Sequence, residues 1–302
     1  MSQPENPLDP VLRTCLDEAI SRYLGTPSHI GRCLSIGGGS ISQALVAQSE
    51  RTRWFVKLNS AERVDLFAAE ADGLAALRAC SALRVPAVVT HGISGRQAYL
   101  ILEHLELQLL RESAAANSGR ALAELHRITG EGFGWHRDNF IGSTPQSNAS
   151  EPSWPLFFAH QRLQPQLDLA RARGCKENLT TDGERLVEKM PALFDSRPPS
   201  VSLLHGDLWH GNAASVAGQL TLFDPAVYFG DRETDLAMSE LFGGFPGRFH
   251  AAYREAWPLT DGYEQRKTLY KLYHVLNHFN LFGGGYLQQA ERMIAALLAE
   301  IG

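Results

Sequence analysis

Residues 37–42 (GGGSIS) constrain the fold of this chain most, because they lie between two short strand patterns at 32–36 and 44–48. A glycine-rich turn that joins two strands forms a β-hairpin, whereas the phosphate loops of P-loop and dinucleotide-binding proteins join a strand to a helix. We therefore expect a hairpin whose backbone N–H groups lie over a bound phosphate group; the alternative is a plain flexible hairpin. The candidate cofactor-binding residues here are Gly37, Gly38, Gly39 and Ser40.

Hydrophobic periodicity divides the chain into a strand-rich first part and a helix-rich second part. The first part is predicted to contain helices at 11–24 and 62–80 and strands at 32–36, 44–48, 53–58, 85–90 and 97–102. The second is predicted to contain helices at 113–129, 154–173, 181–194, 234–242, 247–257 and 263–282, with short strands at 201–204 and 220–223. This order predicts a bilobal α+β fold, with a small antiparallel-sheet lobe at 1–103 and a larger, mainly helical lobe at 104–302. An irregular stretch at 130–153 is long enough to be functional or mobile.

The sharpest chemical signal is residues 205–212 (HGDLWHGN), followed twelve residues after Asn212 by Asp224. Transfer of a γ-phosphoryl group needs a carboxylate beside the acceptor hydroxyl, and oxygen ligands that hold Mg²⁺ against the phosphates. Asp207 suits the first task, and Asn212 and Asp224 suit the second. The spacing Asp-x4-Asn is that of the catalytic loop in the protein-kinase-like fold, with Gly206 where protein kinases have arginine. The alternative is that Asp207 and Asn212 only form turns.

Two charged residues in apolar surroundings predict an ion pair in the first part of the chain. Lys57 lies inside a strand pattern (WFVKL, 54–58), and Glu70 lies on the apolar face of the next predicted helix. Each needs a partner, and together they would give the Lys–Glu pair that positions the phosphates of ATP. The alternative is a solvated lysine at a strand edge and a glutamate at a helix rim. Glu103 and Leu105, where the two lobes join, are candidates for adenine binding through their backbone groups.

Composition limits the other classes of function. The chain has 28 Lys and Arg against 33 Asp and Glu, a net charge of −5, which gives no indication of a nucleic-acid partner. No apolar run reaches the roughly 18–20 residues that span a bilayer, so no membrane association is expected, and residues 1–10 lack the apolar core of a signal peptide. Four scattered cysteines without a CxxC pair favour reduced thiols, and hence a cytoplasmic protein. The sequence leaves the oligomeric state open.

Several longer segments resemble the fructosamine (ketosamine) kinase family, which is similar in fold to the aminoglycoside phosphotransferases. They are residues 132–146 (GFGWHRDNFIGSTPQ), 154–158, 162–167, 204–212 and 223–238. The resemblance implies phosphorylation, by ATP with Mg²⁺, of the 3-hydroxyl of a ketosamine, which is a fructosamine or ribulosamine adduct of an amine or protein. The unstable product then releases the sugar, so that the amine is deglycated.

The same resemblance implies a role for each candidate residue. Asp207 would be the base, Asn212 and Asp224 the Mg²⁺ ligands, and Lys57 and Glu70 the pair that holds the phosphates. Residues 224–226 read DPA in place of the DFG of protein kinases, so we expect no phenylalanine-gated activation switch.

A sugar acceptor needs paired polar groups and a flat apolar face. The candidates near the expected γ-phosphate position are Trp209, His210, Asp231, Arg232, Asp138 and Asn139. The alternative for these residues is hydrogen bonding that stabilises loops, notably for Asp231 and Asp235. Two other functions stay open: a kinase for another small acceptor such as an aminoglycoside or choline, and a catalytically inactive nucleotide-binding protein. Residues 132–146 argue against the first, and the survival of every proposed catalytic and metal-binding residue argues against the second.

Overall fold

The computed structural model describes residues 8–37, 41–50, 52–175, 177–194 and 198–302. Helix α1 (Pro10–Leu24) begins after Asp9, whose carboxylate accepts hydrogen bonds from the N–H groups of Val11 and Leu12 at 3.0 and 3.2 Å. Such a cap satisfies amides that have no acceptor inside the helix. The next elements are β1 (Arg32–Ile36), β2 (Gln43–Gln48), β3 (Arg53–Ser60), α2 (Val64–Leu77), β4 (Val88–Ser94) and β5 (Gln97–Glu103), with a 3₁₀ turn at Ala61–Arg63 before α2.

These strands form one five-stranded antiparallel sheet in the order β1-β2-β3-β5-β4. Successive side chains of a strand point to opposite faces, so Trp54, Val56 and Leu58 of β3 are buried in the core beneath α1. Lys57 points to the other face, where α2 packs and where Glu70 lies. Strand alternation therefore places the lysine between the sheet and α2.

The second part of the chain holds most of the helices and, among the described residues, three two-stranded sheets. Its helices are α3 (Glu112–His126), α4 (Trp154–Phe158), α5 (Gln164–Ala172), α6 (Glu177–Lys189), α7 (Glu233–Leu241), α8 (Gly247–Ala256), α9 (Tyr263–Phe282) and α10 (Tyr286–Ile301), with a 3₁₀ turn at Met190–Phe194. Its strands pair as β6 (Asn139–Ile141) with β7 (Thr144–Gln146), β8 (Ser202–Leu204) with β11 (Tyr228–Gly230), and β9 (Ala213–Val216) with β10 (Gln219–Leu222). The predicted fold class, a small antiparallel sheet followed by a mainly helical part, is confirmed.

Residues 154–173, predicted as one helix, form α4 and α5 joined by a π-helical turn at Ala159–Leu163. The cause is Pro165, which has no N–H group to donate to the carbonyl of Gln161 four residues earlier. Arg162 supplies the missing donor, because its Nη1 lies 2.8 Å from that carbonyl oxygen. The irregular turn thus holds a buried guanidinium, which stacks 3.9 Å from the ring centroid of Tyr228.

Other elements also differ from the sequence prediction. The stretch 130–153, predicted to be irregular, contains the β6–β7 hairpin. Helix α10 was not predicted, yet Ala290, Ile294 and Leu297 on its inner face are buried. Strand β4 begins at Val88 and not at residue 85, since Pro86 has no N–H to contribute to the ladder.

Candidate active site

The 205–212 loop leaves β8 through a glycine that the packing requires. Gly206 has φ of +82°, and a Cβ atom there would lie 2.0 Å from the carbonyl oxygen of Ala226. The Ala226 N–H donates to the His205 carbonyl at 2.9 Å, and β8 and β11 pair just beside it. The loop and the segment that follows Asp224 therefore lie side by side, so close that no side chain fits at residue 206.

Asp235 in the first turns of α7 fixes the start of this loop. Its carboxylate accepts hydrogen bonds from the N–H groups of His205 at 2.7 Å and Gly206 at 2.9 Å. His126 Nε2 lies 3.2 Å from the same carboxylate, and the Tyr253 hydroxyl lies 2.8 Å from His126 Nδ1. Burial opposes ionisation of Asp235, but its hydrogen bond with His126, the charges of its neighbours and the Gly206 N–H hold its pKa below the ordinary value. A buried, ionised carboxylate thus anchors the backbone that carries Asp207.

Asp207 and Asn212 lie together within the loop. The Asn212 side chain donates from Nδ2 to the Asp207 carboxylate and to the Asp207 carbonyl, both at 3.0 Å. Burial, and then the negative charge of Asp224, raise the pKa of Asp207 to about 7, although the hydrogen bond from Asn212 opposes the shift. Asp207 is therefore a stronger base than an ordinary aspartate, and about half of it is ionised at neutral pH.

The predicted pairing of Lys57 and Glu70 is present in the structure, with Lys57 Nζ 2.7 and 2.9 Å from the two carboxylate oxygens. The same ammonium group lies 2.6 Å from Asp224 Oδ1. These two carboxylates raise the pKa of Lys57 although burial acts in the opposite direction. Lys57 thus joins the sheet and α2 to the segment that carries the predicted metal ligand.

Asp224 and Asn212 have the oxygen atoms that Mg²⁺ prefers. Asn212 uses its Nδ2 for both bonds to Asp207, which leaves its Oδ1 available. Asp224 keeps 45% of its side chain exposed and adopts a left-handed backbone with φ of +54°; strained backbone of this kind clusters at functional sites. No group of three or more His, Cys, Asp or Glu residues in the described part of the chain could hold a metal alone. The pair therefore fits an ion whose other ligands are phosphate oxygens and water.

The predicted adenine-binding residues lie at the end of β5. The Glu103 carboxylate contacts Arg84 and accepts a hydrogen bond from the Ala87 N–H at 3.1 Å, so its side chain is occupied within the protein. The Leu105 carbonyl accepts from the Leu107 N–H at 3.0 Å. Of the predicted glycine-rich turn, Gly37 follows β1 and is exposed, whereas Gly38, Gly39 and Ser40 lie outside the described residues.

Trp209 and His210 lie on the more open side of the 205–212 loop. The Trp209 ring makes an edge contact with Phe242, at 6.1 Å between centroids. His210 is exposed, and its Nδ1 lies 3.2 Å from the Gly243 carbonyl. Both side chains remain partly accessible close to Asp207 in the chain, as an acceptor-binding residue must be.

Asp231 and Arg232 are instead buried in contacts within the protein. Asp231 accepts a hydrogen bond of 2.5 Å from the Tyr270 hydroxyl and one of 3.0 Å from the Glu233 N–H. Arg232 donates to the Tyr253 hydroxyl at 3.0 Å and to two backbone carbonyls after α8. Their polar atoms are thus used to hold the start of α7.

Asp138 and Asn139 also have partners inside the protein. Asp138 accepts from the Asn148 N–H at 2.8 Å. Asn139 is buried and donates from Nδ2 to the Val227 carbonyl at 2.7 Å. The structure thus gives all four of these predicted acceptor residues a part in local structure, which was the alternative interpretation of their sequence positions.

Sequence reasoning missed other buried polar residues near the site, chiefly Gln146 and Tyr273. The Tyr273 hydroxyl donates to Gln146 Oε1 at 2.6 Å. Gln146 gives no signal of burial in the sequence because it lies in a polar stretch (TPQSN, 144–148). The hydroxyl of Tyr273 lies in the apolar stripe of the predicted helix 263–282, and burial of such a group demands a hydrogen-bond partner.

The strand order, the Lys57 ion pair and the Asp207–Asn212 loop beside Asp224 together define a class of protein. They are the arrangement of a kinase with the protein-kinase-like fold, and the chain is a small-molecule kinase of that class.

The family is identified by comparison with known proteins: the chain matches the fructosamine kinase family over residues 13–300 and belongs to it. A probable ketoamine kinase of Synechocystis is 46% identical over 93% of this chain and 95% of its own length. A solved structure from Haemophilus somnus, assigned as a fructosamine-3-kinase, has a TM-score of 0.86 at 30% identity and covers 94% of this chain and 96% of its own. An aminoglycoside phosphotransferase in a ternary complex with ADP and hygromycin B has a TM-score of 0.63 at 15% identity, over 94% and 98% of the two chains. That last likeness shows the fold alone.

Proposed function

We propose that this protein transfers the γ-phosphoryl group of ATP to the 3-hydroxyl of a ketosamine and thereby leads to deglycation of the amine. The observation that carries the proposal is the position of Lys57 Nζ, 2.7 Å from Glu70 and 2.6 Å from Asp224. It brings phosphate-binding and metal-binding candidates from both parts of the chain into one site. Family membership and the relatives assigned as ketoamine kinase and fructosamine-3-kinase support the choice of acceptor.

Asp207 acts as the base. The acceptor oxygen forms a bond to the γ-phosphorus while the bond to the bridging oxygen of ADP breaks, and the hydroxyl proton passes to the Asp207 carboxylate. The hydrogen bond from Asn212 orients that carboxylate. The shift of the Asp207 pKa to about 7 suits proton transfer at neutral pH. Positioning and neutralisation of charge supply most of the rate enhancement in such a transfer.

Lys57 and Glu70 hold the nucleotide phosphates. Glu70 keeps Lys57 in place, while the contact of Lys57 with Asp224 is exchanged for one with the phosphates when ATP binds. The backbone N–H groups of the glycine-rich turn (Gly37, Gly38, Gly39 and Ser40) cover the phosphates, and backbone groups of Glu103 and Leu105 bind adenine.

Asn212 and Asp224 would hold Mg²⁺, consistent with the available Oδ1 of Asn212 and with the exposure of Asp224. When bound, the ion supplies positive charge that neutralises the phosphates as charge develops on them.

For the acceptor we retain Trp209 and His210 as contacts. An indole ring offers the flat apolar face that a sugar needs. Asn139, Asp231 and Arg232 are assigned to support of the site, since they are buried and their polar atoms have partners within the protein. Asp138 is exposed, with its carboxylate bound to the Asn148 N–H, and stays a candidate contact.

We further propose that residues 1–103 act as the nucleotide-binding lobe and residues 104–302 as the catalytic and substrate lobe, in the cytoplasm. The whole five-stranded sheet lies within the first range. None of the four cysteines forms a disulfide, which agrees with a reducing compartment. Within the described residues, the helices are too short or too polar to cross a membrane.

ADP production with Mg²⁺ tests the proposal when it is measured against fructosyl-lysine, ribulosyl-lysine, an aminoglycoside and choline. We expect turnover with one or both ketosamines. Turnover only with the aminoglycoside or choline would contradict the acceptor, and ATP binding without turnover on any acceptor would point to a binding protein.

A further inference from the structure

Residues 132–146, here called the bridging segment, carry buried polar side chains that have no role in the proposed reaction. Asn139 is 4% exposed and Gln146 is 2% exposed. A buried amide that lacks partners is costly, so both side chains must be hydrogen-bonded within the protein.

The first contact of the bridging segment is with α2, the helix that carries Glu70. Trp135 Nε1 donates to Asp72 Oδ2 at 2.7 Å, and His136 Nε2 lies 3.2 Å from Asp72 Oδ1. The Trp135 ring also packs against Phe229 of β11, at 5.4 Å between centroids. Trp135, which packs against β11, thus contacts α2 at Asp72, two positions after Glu70.

The second contact is with the backbone just after Asp224. Asn139 Nδ2 donates to the Val227 carbonyl at 2.7 Å, and Gln146 Nε2 donates to the Ala226 carbonyl at 3.3 Å. Gln146 Nε2 also donates to Asn139 Oδ1 at 2.7 Å, while Gln146 Oε1 accepts from Tyr273 at 2.6 Å. Each amide group has its partners, so the orientation of both side chains is fixed.

These contacts bear on the site because the conformation of Asp224 is unfavourable by itself. A non-glycine residue at φ of +54° carries backbone strain and persists only when its surroundings enforce it. Helix α2 packs on the same turn: a Cβ at Gly73 would lie 3.0 Å from the Pro225 ring and 3.3 Å from Val227. The helix of Glu70, the turn of Asp224 and the bridging segment are thus in mutual contact.

We propose that Asn139 and Gln146 are positioning residues, together with the Trp135–Asp72 pair. They fix the position of Asp224 relative to Glu70, and so prearrange the site for ATP and its metal ion. This inference rests on the proposed function in one respect, the assignment of Asp224 to the metal. It concerns binding and not the choice of acceptor.

The test is the dissociation constant for ATP, measured by titration calorimetry with Mg²⁺ and again with EDTA. Gln146→Met keeps the shape of the side chain but removes its hydrogen bonds. We expect about tenfold weaker binding with Mg²⁺, full stoichiometry, and a change of less than about twofold with EDTA. Pro145→Ala, on the exposed side of β7, is the matched control and should bind like the wild type.

Tyr273→Phe provides a second variant if Gln146→Met folds poorly, because it removes only the hydroxyl that orients Gln146. It should weaken binding in the same direction by about twofold to fivefold. Wild-type affinity of both variants in Mg²⁺, or equal weakening with and without Mg²⁺, would overturn the inference.

No acceptor is needed, so failure to phosphorylate a ketosamine leaves this test intact. A wild-type affinity that does not depend on Mg²⁺ would overturn both this inference and the metal site of the proposed function.

Discussion

The Asp207 carboxylate shows how single residues of this site are kept reactive. Its only side-chain hydrogen bond among the described residues comes from Asn212, while burial and Asp224 raise its pKa to about 7. An environment that disfavours the charged form makes the carboxylate a better base, and it also makes the folded state less stable whenever Asp207 is ionised.

The first prediction concerns the pH dependence of the reaction. Because the base must be ionised, kcat/KM should be constant above about pH 8 and fall roughly tenfold between that plateau and pH 6. Steady-state rates at saturating Mg²⁺ would measure this profile. A kcat/KM that stays flat down to pH 5 would mean that Asp207 is not the base, or that its pKa is not raised.

A second prediction concerns stability. A raised carboxyl pKa contributes stability at low pH that is lost as pH rises from the unfolded value of 3.8 to the folded value of about 7. Asp207→Asn should therefore be more stable than the wild type above pH 7, by about 1–3 kcal/mol. The difference should shrink toward pH 4. Chemical denaturation at both pH values measures it, and a variant less stable than the wild type at pH 8 would refute the account.

Gly206 gives a third prediction, with a matched control in the same chain. Gly206 and Gly218 have nearly equal φ of +82° and +81°, but a Cβ at Gly218 would have no atom within 4 Å. Gly218→Ala should cost about 1 kcal/mol from backbone strain alone, whereas Gly206→Ala should cost more than about 3 kcal/mol and abolish activity. Equal losses of stability in the two variants would show that the contact with Ala226 is unimportant.

At the level of elements, the site depends on how α7 holds the 205–212 loop. The Asp235 carboxylate accepts from two backbone N–H groups and from His126, which ties the loop to both α7 and α3. An amide at this position would turn an N–H₂ group toward one of these donors.

We therefore predict that Asp235→Asn lowers the free energy of unfolding by about 2–4 kcal/mol and reduces kcat far more than it changes the KM for ATP. Asp182→Asn, on an exposed position of α6, serves as control and should stay within about 0.5 kcal/mol of the wild type. Wild-type kcat in Asp235→Asn would contradict the anchoring role.

The elements also show what could be predicted from the sequence. Alternation along β3 was enough to predict that Lys57 and Glu70 meet, because a charge on an apolar face needs a partner. Helix α10 was not predicted although Ala290, Ile294 and Leu297 have helical spacing, so that signal was available. The β6–β7 hairpin had no such signal, since strands of three residues carry too little periodicity and are held by amide side chains such as Gln146.

At the scale of the whole molecule, the sheet-bearing part and the helical part meet through Lys57 and Asp224. Neighbours in the chain, such as Asp207 and Asn212, could be paired from their spacing alone. The bond between residues 57 and 224 depends on how the sheet-bearing part and the helical part of the chain pack together, which no local pattern encodes. For the same reason the sequence could not reveal the internal partners that the packing of α7, α8 and α9 gives to Asp231 and Arg232.

The central claim is that Asp207 assists transfer of phosphate to the 3-hydroxyl of a ketosamine, and phosphorus NMR of the reaction mixture tests it most directly. With fructosyl-lysine or ribulosyl-lysine, ATP and Mg²⁺, we expect a new signal from a sugar 3-phosphate. The signal should be absent with Asp207→Asn, although calorimetry shows that this variant still binds ATP. Phosphorylation at another hydroxyl, or the same product formed at a near wild-type rate by Asp207→Asn, would contradict the account.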